Sequence, residues 1–468
     1  MFPVERVPEK EIDEAILRAL PGAGVFAVGG RVRDEVLSDL GRPVLYPIGH
    51  RMIPDYLITG MALEDVIGEL KSIGRAELVG SSFGVIKLAT PAWTVDVALP
   101  RRERSTGAHH RDFDIQVGPE IPIDEDLARR DFKVNMMARD LRSGTVIDPY
   151  GGREDLEHFR LAALRDEAFI EDPLRVLRGA QFAARFNLVP TPATLEAMRA
   201  ASDLIPTVAA ERIAEELTKL LELSERPSVG FELLREVSAL HHILPELMEG
   251  WQIEQNEYHL HTVYYHSLEC CDQAPPDLGQ RLAALLHDVG KPRTKDGPHF
   301  YRHEFVGEEM VRSALTRLRF SYDLIDRVCD LVAHHMFQAD DSLTDAAIRR
   351  FIRRVKPERV DELFALRRAD VAASGLAPRD AAQQARFEHR VYAELAAQPP
   401  FGIRDLAIGG EDVIAVLREL ALVGEDFKGD SRVGKVLQWC LEQVLDDPQK
   451  NDRAILRGLV RRYLEAAG

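Results

Sequence analysis

The stretch Val25-Phe26-Ala27-Val28-Gly29-Gly30-Arg31-Val32-Arg33-Asp34-Glu35-Val36-Leu37 constrains this chain more than any other. A short apolar run of strand type meets two glycines and then a helical pattern, so strand, tight turn and helix come in immediate succession. A helix that starts at such a turn leaves its first backbone N–H groups open, and an anion is their natural partner. Gly29 and Gly30 are therefore candidate phosphate-binding positions, with Arg33 one turn in. A plain strand-to-helix turn would use the same glycines, and the next strand of the chain weighs between the two readings.

That strand is the segment Ile53-Pro54-Asp55-Tyr56-Leu57-Ile58-Thr59-Gly60. Together the two segments resemble the head of the class II tRNA nucleotidyltransferase and poly(A) polymerase family, in which Gly-Gly-x-Val-Arg-Asp is followed by Asp-x-Asp. The resemblance puts Asp55 on the second carboxylate of that pair and Ile53 on the first, after an unusual loop from Leu45 to Met52. Side chains at i and i+2 of a strand point the same way, which lets the family's two carboxylates share the Mg²⁺ ions that bind the triphosphate and activate the attacking hydroxyl. Asp55 is thus implied to be catalytic and a Mg²⁺ ligand.

At 468 residues the chain is too long for one core, and three or more domains are expected. Its 45% apolar and 29% charged residues are those of a soluble globular protein. Cys270, Cys271, Cys329 and Cys440 show neither metal nor disulfide spacing, and no apolar run reaches transmembrane length. A cytoplasmic enzyme is the expectation, with no membrane or DNA partner. The net charge of −17 argues against a protein that coats nucleic acid non-specifically, although it leaves room for a local basic groove.

Further along, Glu64 to Ser72 reads as a helix and Leu78 to Leu88 as a hairpin-like pair of strands. In Trp93-Thr94-Val95-Asp96-Val97-Ala98-Leu99 strict alternation sends Trp93, Val95, Val97 and Leu99 to one face and Asp96 to the other. By its place in the family pattern Asp96 is the third carboxylate, a second catalytic Mg²⁺ ligand. The loop from Ala108 to Phe113 is expected to be mobile. Next, Arg129-Arg130-Asp131-Phe132-Lys133-Val134-Asn135 resembles the family's Arg-Arg-Asp-Phe-x-x-Asn motif. That motif implies triphosphate contacts from Arg129 and Arg130 and ribose contacts from Asp131 and Asn135, while a capped helix with a solvated charge run is the alternative.

From about Leu141 the pattern turns helical, broken by Asp148-Pro149-Tyr150-Gly151-Gly152. In Glu171-Asp172-Pro173-Leu174-Arg175-Val176-Leu177-Arg178, Asp172 is expected as N-cap and Pro173 at the first helical position. Asp172, Arg175 and Arg178 step by three and would share a face. A carboxylate accepts from an exocyclic amine and a guanidinium donates to a ring nitrogen or carbonyl, so this trio could read a cytosine or adenine edge. The family uses such a motif to choose CTP or ATP. An intrahelical ion pair is the alternative.

A second chemistry begins after Pro245. Of 15 histidines, eight fall between His259 and His335. Leu285-Leu286-His287-Asp288-Val289-Gly290-Lys291-Pro292 resembles the HD phosphohydrolase signature. The superfamily's ligand order is met by His266, His287, Asp288, His303, His334 or His335, and Asp370. Imidazole and carboxylate together suit Mn²⁺, Fe²⁺, Ni²⁺, Co²⁺ or Zn²⁺, and Asp288 would bridge if two ions bind. His259, His261 and His299 are expected to face substrate or serve structure. Arg349, Arg350, Arg353, Arg354 and Lys356 form a basic helical face of the kind that is usually solvated, though an RNA backbone could lie there.

The expected fold class is α+β. A nucleotidyltransferase head with a mixed sheet (1–140) precedes a helical neck that binds RNA and nucleotide (141–245), an HD domain (246–397) and a helical tRNA-binding tail (398–468). The resemblance implies transfer of CMP and AMP from CTP and ATP to tRNA 3′ ends, plus hydrolysis of cyclic phosphodiesters or phosphomonoesters. The competing expectation is an HD metallophosphohydrolase with a vestigial head.

Overall fold

The computed structural model describes residues 9–44, 54–79, 84–105, 113–255, 260–340, 342–374 and 381–467. Ile53, the whole loop from Leu45 to Met52 before it, His259 and the 108–112 segment lie outside them.

The head is a seven-stranded mixed sheet. Its strands are β1 (Gly24–Val28), β2 (Asp55–Thr59), β3 (Arg75–Val79), β4 (Val85–Ala89), β5 (Thr94–Ala98) and, after the separate hairpin β6 (Arg101–Ser105) and β7 (Phe113–Val117), β8 (Ala138–Asp140) and β9 (Val146–Ile147). Their spatial order is β3-β4-β5-β2-β1-β8-β9, and only β2 and β5 run parallel. Alternation decides what each face does. Tyr56, Ile58, Ile86, Leu88, Val95 and Val97 enter a core closed by α1 (Lys10–Ala19) and α3 (Leu63–Leu70). Leu57 and Val28 enter a smaller cluster with Leu127, Met136 and Ala138, which leaves part of the second face for the site.

Helix α2 (Gly30–Asp39) starts at the glycine pair, as its sequence pattern requires. Gly29 has φ +68, and a Cβ there would lie 2.8 Å from Arg130 Nη1, so both conformation and space demand glycine. The expected switch to helix near Leu141 comes later. After α4 (Ile123–Ala128), β9 adds Val146 and Ile147 to the head sheet, and α5 (Gly152–Glu157) follows it.

The neck continues with α6 (Glu167–Glu171), α7 (Leu174–Phe186), α8 (Pro192–Ala201), α9 (Ala210–Leu223) and α10 (Pro227–Glu236). Residues 1–251, 275–282 and 313–321 make one compact unit, and residues 252–274, 283–312 and 322–468 make a second. Within the second unit the tail helices Gly410–Glu419, Ser431–Asp446 and Arg453–Ala467 close on a core of their own around Leu417, Leu441, Val444 and Leu456. No helix among the described residues is long and apolar enough to cross a membrane.

Candidate functional site

In the head, register brings the acidic residues together. Asp55 on β2 pairs directly with Asp96 on β5, so both side chains leave the same face of the sheet on neighbouring strands. Asp55 reaches solvent, yet the protein packed around its carboxylate pushes its pKa up to about 6, with Arg130 opposing the rise and Asp96 adding to it. Two carboxylates side by side resist joint ionisation, and a divalent cation between them relieves that. The donor set therefore fits Mg²⁺.

Gly29 lies at the edge of this pair. A Cβ on it would sit 3.8 Å from Asp55 Oδ2, which puts the start of α2 beside the carboxylates. Gly30 opens the helix. Arg130 completes this side of the site: it is held by Asp126 at 3.5 Å and its Nη1 reaches over Gly29. Arg129 bonds the other oxygen of the same Asp126 carboxylate through Nε at 2.9 Å.

Three residues expected against the nucleotide are turned inward. Arg33 is buried, donates to Asp34 at 2.7 and 2.9 Å and to Asn135 at 2.8 Å, and stacks 4.0 Å from the Phe186 ring centroid. Asn135 donates to Asp131 at 2.8 Å, and Asp131 accepts from Arg178 at 2.5 and 2.8 Å. Burial would raise the Asp131 pKa, but Arg178, Asn135 and the Phe132 amide outweigh it and hold the carboxyl down at about 2. This chain of contacts fastens α2 to α7 through the Arg-Arg-Asp motif.

The expected base-reading trio also separates. Asp172 does not cap α7, because Pro173 holds the N-cap position, and its carboxylate is gripped by Arg212 of α9 at 3.0 and 3.3 Å. Arg178 belongs to Asp131. Arg175 gives Nη2 to the Arg129 carbonyl at 3.0 Å, while its buried Nη1 has no hydrogen-bond partner among the described residues. That spare donor singles out Arg175 within the trio.

The second unit builds a different centre. His266 comes from the helix Val263–Gln273, Asp370 from Val360–Ala373, His303 opens His303–Arg317, and His335 follows Tyr322–His334. A Cβ on Gly290 would collide with the His303 carbonyl, so the Asp288–Lys291 turn needs glycine to bring Asp288 against His303. His266, His287, Asp288, His303 and His335 are all nearly fully buried. Asp288 stands between two imidazole pairs. Its Oδ2 is 3.1 Å from His287 Nε2 and 3.6 Å from His266 Nε2, and its Oδ1 is 3.2 Å from His303 Nε2 and 3.6 Å from His335 Nε2. Asp370 Oδ1 lies 3.0 Å from His266 Nε2.

Imidazole tautomers show what belongs there. Each Nδ1 donates to a backbone carbonyl: His266 to Ala373, His287 to Ala284, His303 to Phe300 and His335 to Val332, at 2.7–3.3 Å. Each Nε2 is then a lone-pair acceptor. Yet the Nε2 atoms face one another, His266 to His287 at 3.3 Å and His303 to His335 at 3.2 Å. Two acceptors at that distance repel unless a cation sits between them, and the spacing matches two donors each about 2.1 Å from one ion. The groups His266–His287–Asp288 and Asp288–His303–His335, which share Asp288, would each hold a metal ion. Burial would raise both carboxyl pKa values; were the imidazoles protonated instead, His287 with Lys291 would hold Asp288, and His266 with His287 would hold Asp370, well below the usual range.

Among the described residues His334 falls in neither His–Asp group; its Nδ1 bonds the Asp330 carbonyl at 2.8 Å. Lys291, which sequence reasoning left without a role, places Nζ 2.6 Å from Asp288 Oδ2. His299 stacks on exposed Tyr301. Much of the basic face is paired within its own unit. Arg349 bonds Glu394 and the carbonyls of Leu445 and Asp446, Arg350 and Arg353 bond Glu442, and Lys356 bonds Asp330.

Comparison with known proteins agrees with this architecture. The Poly A polymerase head domain matches residues 25–162, the probable RNA and SrmB-binding site of polymerase A matches 187–250, and the HD domain matches 257–374. The Multifunctional CCA protein of Cupriavidus metallidurans is 34% identical over 384 residues, covering 78% of this chain and 88% of the relative. That of Nitrosococcus oceani is 33% identical over 410 residues, covering 82% and 94%. The fold matches a crystal structure of the Bacillus stearothermophilus CCA-adding enzyme in complex with CTP, with TM-score 0.71, 19% identity and 99% of both chains covered. The chain belongs to the multifunctional CCA protein family, nucleotidyltransferases that carry a poly(A)-polymerase-type head and an HD domain.

Proposed function

We propose that the head transfers CMP and AMP from CTP and ATP to the 3′ end of tRNA at Asp55 and Asp96, and that the His–Asp centre hydrolyses phosphoester bonds. The observation that carries the first activity is the direct pairing of Asp55 with Asp96 beside Gly29 and Arg130. The helix start at Gly29 and Gly30 and the Arg130 guanidinium receive the β- and γ-phosphates. The tRNA 3′-hydroxyl attacks the α-phosphate, the new P–O bond forms as the bond to the β-phosphate oxygen breaks, and pyrophosphate leaves. Mg²⁺ held at the two carboxylates supplies charge neutralisation on the α-phosphate and acidifies the hydroxyl. Arg175, through its spare Nη1, and Asp172, once Arg212 yields it, present a donor and an acceptor to the incoming base. Arg178, Asp131, Asn135 and Arg33 hold that reading surface against the head.

The second activity rests on the four convergent Nε2 atoms. Transition metals such as Mn²⁺, Ni²⁺, Co²⁺ or Fe²⁺ held by His266, His287, Asp288, His303, His335 and Asp370 supply polarisation of a phosphoryl oxygen and an acidified water. Lys291 sets the charge beside Asp288. The division into head, neck, HD domain and tail follows the same assignment, with the tail meeting the body of the tRNA by shape and phosphate. Such chemistry belongs in the cytoplasm, where tRNA and nucleoside triphosphates are found. Extension of a tRNA lacking its 3′ end, assayed beside hydrolysis of a 2′,3′-cyclic nucleotide with and without Ni²⁺, tests both halves.

A further inference from the structure

Four charged residues stand in one cross-strand row on the head sheet. Glu77 pairs with Lys87, Lys87 with Asp96, and Asp96 with Asp55. Directly paired residues point to the same face, and the neighbours Ile86 and Leu88 of Lys87 enter the core on the opposite face. Lys87 is exposed. The carboxylate of Glu77 is already bonded by Arg75 at 2.8 Å, and among the described residues no hydrogen bond or ion pair engages Lys87. With strands about 4.8 Å apart, its Cα stands about 5 Å from that of Asp96 and about 10 Å from that of Asp55. Its stem is long enough to carry the ammonium to whatever occupies the carboxylates.

The direction of the reaction says what that is. Gly29 and Arg130 lie on the β1 side of Asp55 and take the triphosphate, so pyrophosphate departs toward them. In phosphoryl-type transfer the attacking and leaving oxygens are roughly in line, so the attacker enters from the opposite side. Lys87 stands on that side, one strand beyond Asp96. We propose that Lys87 binds the 3′-terminal phosphodiester of the acceptor RNA and so sets the attacking hydroxyl over Asp96. The proposal rests on the transferase reading of the head. A lysine suits a site where the RNA end must be held and then let slip forward by one nucleotide, because its point charge imposes no fixed fork on the phosphate.

The test compares full-length wild type with Lys87→Met and Lys87→Arg, using tRNA trimmed of its 3′ end and, separately, CTP without RNA. Lys87→Met is expected to weaken tRNA binding about five- to tenfold at low salt and to reduce the slope of log affinity against log salt by about 0.7, the contribution of one phosphate contact on a single strand. CTP affinity stays unchanged and Lys87→Arg retains most of the RNA affinity. Unchanged tRNA affinity and salt slope in Lys87→Met would overturn the proposal, as would a loss confined to CTP, which would assign Lys87 to the triphosphate. Wild-type protein that binds the RNA with the Lys87-dependent slope yet adds no nucleotide would sink the transferase reading and leave this contact standing.

Discussion

Asp55 and Asp96 are directly paired residues of two neighbouring parallel strands, the one parallel step in an otherwise antiparallel sheet. A parallel pair needs a crossover, and here α3 with the β3–β4 hairpin provides it, so the sequence distance between the two acids is a consequence of topology. Cross-strand pairing replaces the i, i+2 spacing that two carboxylates on a single strand would use. Since Ile53 is apolar, the proposed metal chemistry of this head would depend on the cross-strand pair.

Ile53→Asp is expected to raise the rate of nucleotide addition, because a third carboxylate would add fixed ligands for ions that otherwise keep more water. One preorganised electrostatic group contributes about 3–4 kcal/mol, or roughly a hundred- to a thousand-fold in rate, which bounds the gain. Single-turnover CTP addition measures it. No gain in Ile53→Asp, with a fast wild type, would mean that another group already completes the site.

The Asp131–Arg178 contact makes stability depend on acid. Asp131 titrates at about 2 in the fold against an ordinary value near 3.8, so the folded state favours the ionised carboxylate. The stabilisation, about 2 kcal/mol, is complete above about pH 4 and is lost as pH falls from there toward 2. In urea unfolding followed by tryptophan fluorescence, the midpoint gap between wild type and Asp131→Asn should be wide at pH 6 and narrow steadily below pH 4. A gap independent of pH would refute it.

Base selection should separate two neighbouring arginines. Arg175→Ala should reduce discrimination among the four nucleoside triphosphates more than it reduces triphosphate binding, since Arg175 has the spare donor. Arg178→Ala should instead lower stability and depress all four nucleotides alike, because it strands the buried Asp131. Equal loss for all four nucleotides in Arg175→Ala would return Arg175 to a structural role.

Metal content distinguishes His335 from His334. Wild type is expected to bind two transition-metal ions per chain, Asp288→Ala to lose both, His335→Ala to keep one and His334→Ala to keep two, by elemental analysis after dialysis. Loss of metal from His334→Ala with retention in His335→Ala would reverse the assignment.

Much of this was legible in the sequence because it depends on local periodicity. Alternation around Asp96 gave its face, and the Gly29-Gly30 pair gave the turn and the helix start. What was not legible depends on partners distant in sequence. The inward turn of Arg33 depends on Phe186 and Asn135, and the grip on Asp172 comes from Arg212. The basic run around Arg350 looked solvated because Glu442, which neutralises it, lies in the tail. The choice between His334 and His335 turns on a single residue at a helix end, where one step rotates a side chain by about 100°. Lys87 had no local signature at all, since only the strand register sets it beside Asp96.

Single-turnover addition of CMP and AMP to a tRNA lacking its 3′ end, with Mg²⁺ supplied, tests the Asp55–Asp96 pair most directly. Wild type is expected to extend the tRNA, Asp55→Ala and Asp96→Ala each to slow extension by at least roughly a hundred- to a thousand-fold, and Asp288→Ala to leave it in place. A wild type that adds nothing, or extension that survives Asp55→Ala, would contradict the assignment of the head as the transferase site.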